Sequence, residues 1–395
     1  MNVMPSEKRP ARVLALCEAD IPSAVLGVHA VFETLSQKTR LCELRTGTSI
    51  SAEPADIAWA DSIVLVRGAS PAERRILLEA RRLGKRVATY LDDDLEQVPP
   101  ASRSGYFFTS EEVRKNLAFI IREADDVLVC SDRLGDQLRE RHGRRAVRIL
   151  QPRPPRLPGE TMPRTPSSPV RIGFLGSVDH GPFLDELLGE VLLDLQSTRG
   201  QEIAFVFCGP EPKVAAALGA EQHPFESDFS LWRQRALDLK LSIGLAPLPE
   251  SPFHRFKYWN KYLEYGSLGI AGIYSDVPPH ADVVRNGETG ILQANEPAAW
   301  RSSIERLLDE PSLRLQLAKA AYLDVEARFG GSALVPHWKT ALGPLLDHRA
   351  PACESQQVEL RRGPFWHAID RLAVYGPARF AERVLGRLTG RLRPG

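Results

Sequence analysis

The chain has 395 residues, a formal net charge of +1 at pH 7, and 43% apolar and 26% charged residues. This length favours two domains of ordinary size over a single core, and the composition is that of a globular protein. A charge so close to zero argues against nucleic acid as a partner, since nucleic-acid-binding domains usually carry a basic excess.

The first twenty residues contain no long apolar segment, so the sequence predicts no secretory signal, and no run of about 18 apolar residues predicts a membrane span. Five cysteines are scattered along the chain without a Cys-x-x-Cys pair: Cys17, Cys42, Cys130, Cys208 and Cys353. This odd, dispersed set fits a reducing compartment better than a disulfide framework or a zinc site. We therefore expect a cytoplasmic protein.

Strand and helix patterns alternate through the first 150 residues. Apolar runs predict strands at residues 11–17, 39–45, 61–68, 85–94 and 125–131. Segments with helical spacing separate several of them, at residues 24–38, 71–84 and 111–124. This alternation predicts an α/β fold with a doubly wound parallel sheet, and hence an N-terminal Rossmann-like domain over residues 1–150.

Seven prolines in residues 151–169 predict a linker, because proline suits neither a helix interior nor a central strand. The alternation then restarts, with strands predicted at residues 170–177, 202–209, 241–248 and 269–275 and helices at residues 183–196, 230–240, 297–309 and 311–328. The sequence thus predicts a second Rossmann-like domain over residues 170–340. Two tandem domains of this kind are expected to face each other across a cleft.

Residues 341–395 are predicted to form C-terminal helices, divided at Gly376-Pro377. Arginines outnumber acidic residues there, and large apolar residues recur at helical spacing on one predicted side: Phe365, Trp366, Ile369, Leu372, Phe380 and Val384. Two interpretations are open. The helices cross back onto the first domain and bury the apolar stripe, or they lie on an anionic membrane as interfacial helices.

A glycine turn follows the first predicted strand of the second domain, in the segment GFLGSVDHG (173–181). Gly176 and Ser177 would let the backbone approach a phosphate, and N–H groups at the start of the next helix favour an anion. The competing interpretation is an ordinary tight turn. The segment lacks the G-x-G-x-x-G fingerprint, which argues against a dinucleotide-dependent oxidoreductase.

The segment FKYWNKYLEYGSLGIAGIYS (256–275) combines charged residues with an apolar helix pattern. Lys257, Lys261 and Glu264 recur at one-turn spacing on one predicted helix face, ahead of a buried strand. A solvated surface ion pair is one interpretation, but the aromatic surroundings favour side chains aimed at a ligand. Lysines suit a diphosphate as point charges, and a carboxylate suits the hydroxyls of a ribose.

These segments, together with IGFLGS, FVFCGP and the helices at 297–328, resemble the nucleotide-sugar-binding domain of GT-B glycosyltransferases. The likeness covers about 170–328 and points especially to the retaining family 4 and its relatives in bacterial surface-polysaccharide synthesis. It implies that Glu264 binds the nucleotide ribose and that Lys257 or Lys261 binds the diphosphate. It also implies that Gly176 and Ser177 border the phosphates.

One position departs from that family. Many members carry a second glutamate eight residues before the ribose-binding one, where it touches the sugar, and this chain has Phe256 there. We infer Arg255 or His254 as a substitute in donor binding. Three further residues near predicted strand ends are also placed at the cleft, although isolated residues of these types are usually structural: His180, Ser275 and His280.

Three aspartates, Asp92, Asp93 and Asp94, follow a predicted strand of the first domain. Asp94 alone would suit a helix cap, and Asp92 with Asp94 would match the metal-binding Asp-x-Asp of the other glycosyltransferase fold, GT-A. The two tandem Rossmann-like halves argue against GT-A. We favour a third interpretation, in which the run faces the cleft and Asp92 or Asp93 orients or deprotonates an acceptor hydroxyl.

The sequence as a whole predicts a glycosyltransferase that needs no cofactor and no metal, in the cytoplasm or on the inner face of the membrane. The expected partners are a nucleotide-sugar donor and a glycan or lipid-linked acceptor, with transfer of a hexosyl or deoxyhexosyl group. Catalysis would come from positioning the substrates and stabilising the leaving diphosphate. The alternative, suggested by Phe256, is a non-catalytic subunit that binds a nucleotide sugar or a glycan.

Overall fold

The computed structural model describes residues 9–18, 21–155, 162, 168–226 and 228–388, with backbone alone for residues 378–388. Most of the predicted linker lies outside this part of the chain. The chain groups into two compact units: unit 1 comprises Met1–Gln151 and His337–Gly395, and unit 2 comprises Pro152–Pro336. Among the described residues, no helix is both long and apolar enough to cross a bilayer.

Unit 1 is built on a six-stranded sheet in which every pairing is parallel. Its strands are β1 (Ala11–Cys17), β2 (Cys42–Thr48), β3 (Ser62–Val66), β4 (Arg86–Leu91), β5 (Asp126–Val129) and β6 (Val147–Ile149). They lie side by side in the order β2-β1-β3-β4-β5-β6. Each position of β3 is buried, as expected for a central strand with helices on both faces.

Helices connect these strands: α1 (Pro22–Ala24), α2 (Ala30–Thr39), α3 (Pro54–Trp59), α4 (Pro71–Arg82), α5 (Gly105–Phe108), α6 (Glu111–Glu123) and α7 (Asp132–His142). A π-helical turn (Val25–His29) joins α1 to α2. Helix α4 begins where its sequence predicts, because Pro71 occupies the first turn and Ser70 and Glu73 form a reciprocal capping box. This start places the first turn of α4 shortly after the end of β3.

Unit 2 contains a second parallel sheet of six strands. Its strands are β7 (Val170–Leu175), β8 (Ile203–Cys208), β9 (Glu221–His223), β10 (Ile243–Ala246), β11 (Ala271–Ser275) and β12 (Ile291–Gln293), in the order β12-β11-β10-β7-β8-β9. The helices are α8 (Gly181–Arg199), α9 (Phe229–Asp238), α10 (Asn260–Leu268), α11 (Pro297–Asp309) and α12 (Pro311–Phe329). The core of the unit gathers around the buried rings of Phe174, Phe207 and Trp300.

Helix α13 (Gly331–Asp347) leads the chain from the residues of unit 2 to the C-terminal part of unit 1. Within unit 1, the Ser62 hydroxyl donates a hydrogen bond to the Leu345 carbonyl at 3.2 Å, and the Ala350 amide donates one to Asp61 at 3.1 Å. The last helix, α14 (Pro364–Leu388), kinks at Gly376, whose φ of 72° lies in the left-handed region. Its first half contacts α4 and α6.

The predicted apolar stripe of α14 divides between two faces. Asp370 and Val374 are buried and Trp366 is partly buried, at four-residue spacing on the face toward α4 and α6. Large apolar side chains on the other face are 70%, 38% and 43% exposed: Phe365, Ile369 and Leu372. The prediction that Trp366 shares their side is therefore wrong. The side chains of Phe380 and Val384 lie outside the described residues.

Candidate functional site

The order of strands in unit 2 reverses between β7 and β10. Strands β8 and β9 continue on one side of β7, and β11 and β12 continue beyond β10. In open parallel sheets, a crevice forms outside the carboxyl ends of the two strands at such a reversal, and ligands bind there. The predicted glycine turn follows β7 directly and so lies at this crevice.

Close backbone contacts shape the glycine turn. The Gly176 amide donates a hydrogen bond to the Cys208 carbonyl at 2.9 Å. Gly209 has a φ of +100°, and a Cβ added to it would lie 1.8 Å from the Gly176 carbonyl oxygen, so only glycine fits. Ser177 then accepts a hydrogen bond from the Asp179 amide at 3.4 Å and begins a short 3₁₀ turn into α8. N–H groups at such a start suit a phosphate.

Lys261 lies against this turn. A Cβ added to Gly176 would come within 2.9 Å of Lys261 Nζ, and Nζ lies 5.3 Å from the centre of the Phe174 ring. One turn later on α10, the Glu264 carboxylate accepts a hydrogen bond from Nζ at 2.5 Å. The fold of unit 2 therefore brings Gly176, Lys261 and Glu264 together although many residues separate them in sequence.

Both members of this ion pair are largely buried, with side-chain exposures of 14% for Lys261 and 16% for Glu264. Burial raises the pKa of Glu264, and the neighbouring Lys261 charge opposes that rise. Taking two charges out of water is costly unless further hydrogen bonds satisfy them. A ligand that brought a phosphate to Lys261 and hydroxyls to Glu264 would supply such hydrogen bonds.

Lys257 is not on the same helix as Lys261, so the predicted helical turn linking the two lysines is wrong. A 3₁₀ turn (His254–Phe256) ends at Lys257, whose ψ of 157° is extended, and α10 begins only at Asn260. A tight turn at Trp259 follows, in which the Asn260 amide donates a hydrogen bond to the Tyr258 carbonyl at 2.8 Å. Tyr258 is buried, and the centres of the Trp259 and Phe329 rings lie 6.0 Å apart. Lys257 reaches the site from the preceding loop instead.

Three predicted histidines surround the lysines. The partly buried ring of His180 lies 4.8 Å from the Phe174 ring. Burial lowers the pKa of His180, and the charges of Lys261 and Lys257 lower it further. Burial and Lys261 also lower the pKa of His280 to about 3, although His280 donates a hydrogen bond to the Ser275 backbone. These imidazoles are therefore neutral at pH 7, which leaves the lysines as the cations of the site.

His254 and Arg255 share the 3₁₀ turn but differ in surroundings. His254 Nδ1 lies 2.7 Å from the Ser251 hydroxyl, and burial together with Lys257 lowers the pKa of His254 to about 4. Arg255 is exposed, and its guanidinium lies 3.7 Å from Glu250. Of the two proposed substitutes for the missing glutamate, His254 is thus the one held within the site, while Phe256 beside them is partly buried.

Ser275 has a positioning arrangement that the sequence did not predict. Its hydroxyl accepts a hydrogen bond from the Leu248 amide at 2.8 Å and donates one to Asn295 Oδ1 at 2.6 Å. Asn295 Nδ2 in turn donates to the Leu248 carbonyl at 2.9 Å. This closed network ties the end of β11 to the segments that follow β10 and β12. Ser275 is fully buried, so it fixes the edge of the sheet on which the site is built.

In unit 1, the carboxylates of Asp92 and Asp93 follow β4 and converge on one guanidinium. Arg67, directly after β3, donates from Nε to Asp92 at 2.5 Å and from a terminal nitrogen to Asp93 at 2.6 Å. The Asp93 side chain is 13% exposed and that of Asp92 is 7% exposed. The strand order of unit 1 reverses between β1 and β3, so Arg67 follows a strand at the reversal and the aspartates follow its neighbour.

Asp94 has a structural role different from the predicted cap. It receives two hydrogen bonds of 2.8 Å from Arg141 on α7, and its side chain is fully buried. Asp94 does precede a 3₁₀ turn, but its side chain caps no backbone amide there. In the part of the chain that the structure describes, no three His, Cys, Asp or Glu side chains cluster as metal ligands.

Sequence analysis missed Arg67, Phe174 and Asn295. Arg67 directly follows the apolar run of a predicted strand, and this charged residue at a strand end could have been predicted as a site residue from the sequence. The Phe174 ring contacts both Lys261 and His180. From the sequence, a phenylalanine in a buried strand is predicted to be a core residue and nothing more. Asn295 follows a short strand in a polar loop, where nothing in the sequence separates it from a turn residue.

Comparisons with known proteins identify the fold but no family. No protein-family model matches the chain, and no curated protein matches it. Several solved structures do. Sucrose-phosphate synthase from Thermosynechococcus elongatus superposes with a TM-score of 0.60 at 14% identity, over 85% of this chain and 99% of that chain. Alr3699/HepE from Anabaena, solved with UDP and glucose, gives 0.56 at 13% identity, over 85% and 100%.

TarM, which is from S. aureus, superposes with a TM-score of 0.54 at 10% identity. The match covers 71% of this chain and 54% of the TarM chain, so this chain spans about half the length of TarM. These structures are GT-B glycosyltransferases. At such identities the likeness shows the fold alone: the chain has the two-domain α/β GT-B fold that the sequence predicts, and the GT-A alternative is wrong.

Proposed function

We propose that the protein is a glycosyltransferase that moves a sugar from a nucleotide-sugar donor to a hydroxyl of a glycan or lipid-linked acceptor. The observation that carries this proposal is the convergence of Lys261, Glu264 and His180 on the glycine turn after β7, at the strand reversal of unit 2. HepE, which shares the fold, was solved with UDP-glucose. That neighbour supports a nucleotide sugar as the donor here.

In this proposal, unit 2 holds the donor. Lys261 and the N–H groups of the Gly176–Ser177 turn stabilise the negative charge that develops on the leaving diphosphate, and Lys257 adds a second cation. Glu264 accepts hydrogen bonds from the ribose hydroxyls. Neutral His180 and His280 enclose the site without competing for the phosphates, because their pKa values are lowered.

Unit 1 supplies the acceptor side of the proposed reaction. Arg67 holds the carboxylates of Asp92 and Asp93 in place through two hydrogen bonds, and a base or an orienting group for a hydroxyl needs such a fixed position. Asp93 is the more exposed of the two and is our candidate for contact with the acceptor. The finer form of the proposal is a retaining, family 4-like, metal-independent hexosyl or deoxyhexosyl transfer in bacterial surface-polysaccharide synthesis, supported by the resemblance of residues 256–275.

We also propose that the protein works in the cytoplasm at the inner face of the membrane, with α14 in contact with anionic lipid. The exposed stripe of Phe365, Ile369 and Leu372 supports this, since three large apolar side chains on one helix face suit the boundary of a bilayer. Arg371 lies within this stretch of the sequence and would meet anionic headgroups.

A non-catalytic nucleotide-sugar- or glycan-binding subunit is the second candidate, because Phe256 stands where many family members have a sugar-contacting glutamate. Binding is tested first, by thermal shift with UDP, GDP, TDP and CDP. A bound diphosphate at 100 times its Kd stabilises the fold by about 2.7 kcal/mol. We expect Lys261→Gln and Glu264→Gln to remove most of this shift, and Lys319→Gln, on an exposed lysine of α12, to keep it.

Turnover then separates the two candidates. Slow hydrolysis of the matching nucleotide sugar by the wild-type protein, absent in Lys261→Gln, supports the transferase. Binding without any hydrolysis or transfer supports the non-catalytic subunit. A protein that binds none of the four diphosphates contradicts both.

A further inference from the structure

A pocket of about 330 Å³ opens in unit 1 beside the carboxyl end of β2. Ser49 directly follows that strand, Arg75 comes from α4, and Arg361, Trp366 and Asp370 come from the C-terminal segment. This volume falls within the range of small-molecule sites, about 300–1,000 Å³. None of these side chains belongs to the donor or aspartate sites described above.

Most charges around the pocket compensate one another. Arg75 donates two hydrogen bonds to Asp370, at 2.8 and 2.6 Å, and Arg362 forms an ion pair with Glu53. Asp370 is only 9% exposed, so the first pair also fastens α14 to α4. These two pairs leave no excess charge at the pocket.

Arg361 is the exception. Its guanidinium lies 4.9 Å from the centre of the Trp366 ring, and within the described part of the chain no carboxylate pairs with it. Stacking on an indole holds the planar guanidinium by its face and leaves its N–H edge available to an anion. Arg75 also lines the pocket, but its terminal nitrogens donate to Asp370 and its Nε is buried, so Arg361 is the donor that a ligand can reach.

We propose that this pocket binds a sugar that carries a carboxylate or a phosphate group. The anion would accept hydrogen bonds from Arg361, because a guanidinium fork matches the geometry of both oxyanions. The sugar ring would lie against the apolar wall that Ile50, Ile76 and Leu360 contribute. A lone oxyanion would fill only a small part of the pocket, so a ring of monosaccharide size accounts for the remaining space.

The pocket also indicates the class of acceptor, provided that the proposed glycosyl transfer is correct: an anionic glycan, held in unit 1. Binding of a charged sugar is a separate claim that does not depend on transfer. The two claims are distinguished by titrating the same samples with a nucleoside diphosphate, which reports the site in unit 2.

The test is a ligand-observed NMR titration of the full chain with glucuronate, glucose 6-phosphate, glucose and inorganic phosphate. We expect at least one of the two anionic sugars to bind, and which one binds distinguishes a carboxylate from a phosphate ligand. Arg361→Gln should weaken that binding about tenfold or more, since a charge-assisted hydrogen bond is lost. Arg361 is exposed, so the substitution should leave folding unchanged.

Arg45→Gln is the matched control, because Arg45 also stacks on an indole, 4.3 Å from the Trp59 ring centre, but does not line the pocket. It should bind the sugar as the wild type does. Four outcomes would each overturn the proposal. Glucose or inorganic phosphate alone binds as tightly as the anionic sugar, Arg361→Gln binds the anionic sugar as tightly as the wild type does, or neither anionic sugar binds. If neither anionic sugar binds but UDP does, the pocket assignment fails and the proposed nucleotide site in unit 2 stands.

Discussion

Arg67 connects the two candidate catalytic carboxylates of unit 1. Its φ of 54° lies in the left-handed region, which residues with a side chain seldom adopt. Burial alone would lower the pKa of Arg67, but Asp92 and Asp93 raise it, so the cation is retained. The guanidinium follows β3 while the aspartates follow β4, and the unusual backbone aims the side chain across the gap between them.

The first prediction concerns these aspartates. If Asp93 orients or deprotonates the acceptor, Asp93→Asn should keep nucleotide affinity and lower turnover by about 100-fold, the size of a general-base contribution. Asp92→Asn should act in the same direction, because Asp92 shares Arg67. The measurement is turnover of a nucleotide sugar alongside calorimetric titration of the diphosphate. Asp132→Asn, on an exposed acid of α7, serves as the control. Full turnover in both Asp92 and Asp93 variants would leave the run with a structural role only.

The second prediction concerns acid stability. The pKa of His280 is about 3 in the folded chain and about 6.5 in the unfolded chain. Below pH 6.5 the unfolded chain therefore binds a proton on His280 that the folded chain does not bind. The free energy of unfolding should therefore be highest above pH 6.5. Between pH 6.5 and 5 this residue alone should reduce it by up to about 1.4 kcal/mol per pH unit.

Urea unfolding at several pH values measures that slope. His280→Gln should make the loss of stability between pH 6.5 and 5 shallower, whereas His337→Gln, at an exposed position of α13, should reproduce the wild-type slope. An unchanged slope in the His280 variant would show that the imidazole is protonated in the folded chain.

At the scale of elements, the predicted strands and helices were confirmed wherever burial and periodicity agreed. The strands β6, β9 and β12 were not predicted because each has only three residues, and β9 carries polar residues that are exposed or partly exposed. The start of α10 was placed too early because Lys257 and Lys261 have helical spacing. The spacing does not reveal that the chain is extended at Lys257 and turns at Trp259 before α10 begins.

The candidate site was predictable only in part. Gly176 was predicted because it follows a strand, and Lys261 and Glu264 were predicted from their one-turn spacing in an apolar helix pattern and from the resemblance to GT-B glycosyltransferases. The structure brings the three residues together, and their role in binding stays a prediction. The pairing of Lys261 with Glu264, and the dependence of Asp92 on Arg67, arise from side-chain directions that depend on the order of strands. The order of strands in a sheet cannot be predicted from any single segment of the sequence.

The third prediction concerns α14. Wild-type protein should float with vesicles rich in phosphatidylglycerol, and a Phe365→Ser, Leu372→Ser double variant should lose most of this binding. Each buried apolar side chain is worth about 1.5–3 kcal/mol, so the loss should exceed tenfold. The control is a Leu315→Ser, Leu323→Ser double variant, which removes equally exposed leucines from α12. Equal flotation of the two double variants would contradict a membrane role for this stripe.

At the scale of the whole molecule, each unit has its own sheet and its own core. The fourth prediction follows: calorimetry should resolve two unfolding transitions, and a bound nucleoside diphosphate should raise the temperature of one only. Lys261→Gln should abolish that rise, which assigns the shifted transition to unit 2. A single transition that moves as a whole would show that the units unfold together.

Unit 1 is made from both ends of the chain, while unit 2 is one continuous segment. On the ribosome, unit 2 therefore emerges complete before the last part of unit 1 has been translated. Until then Asp61 lacks the Ala350 amide and Arg75 lacks Asp370. A premature stop codon between Trp338 and Asp370 would thus leave unit 2 intact but joined to an unfinished unit 1, and such truncated products should be strong targets for cellular proteases.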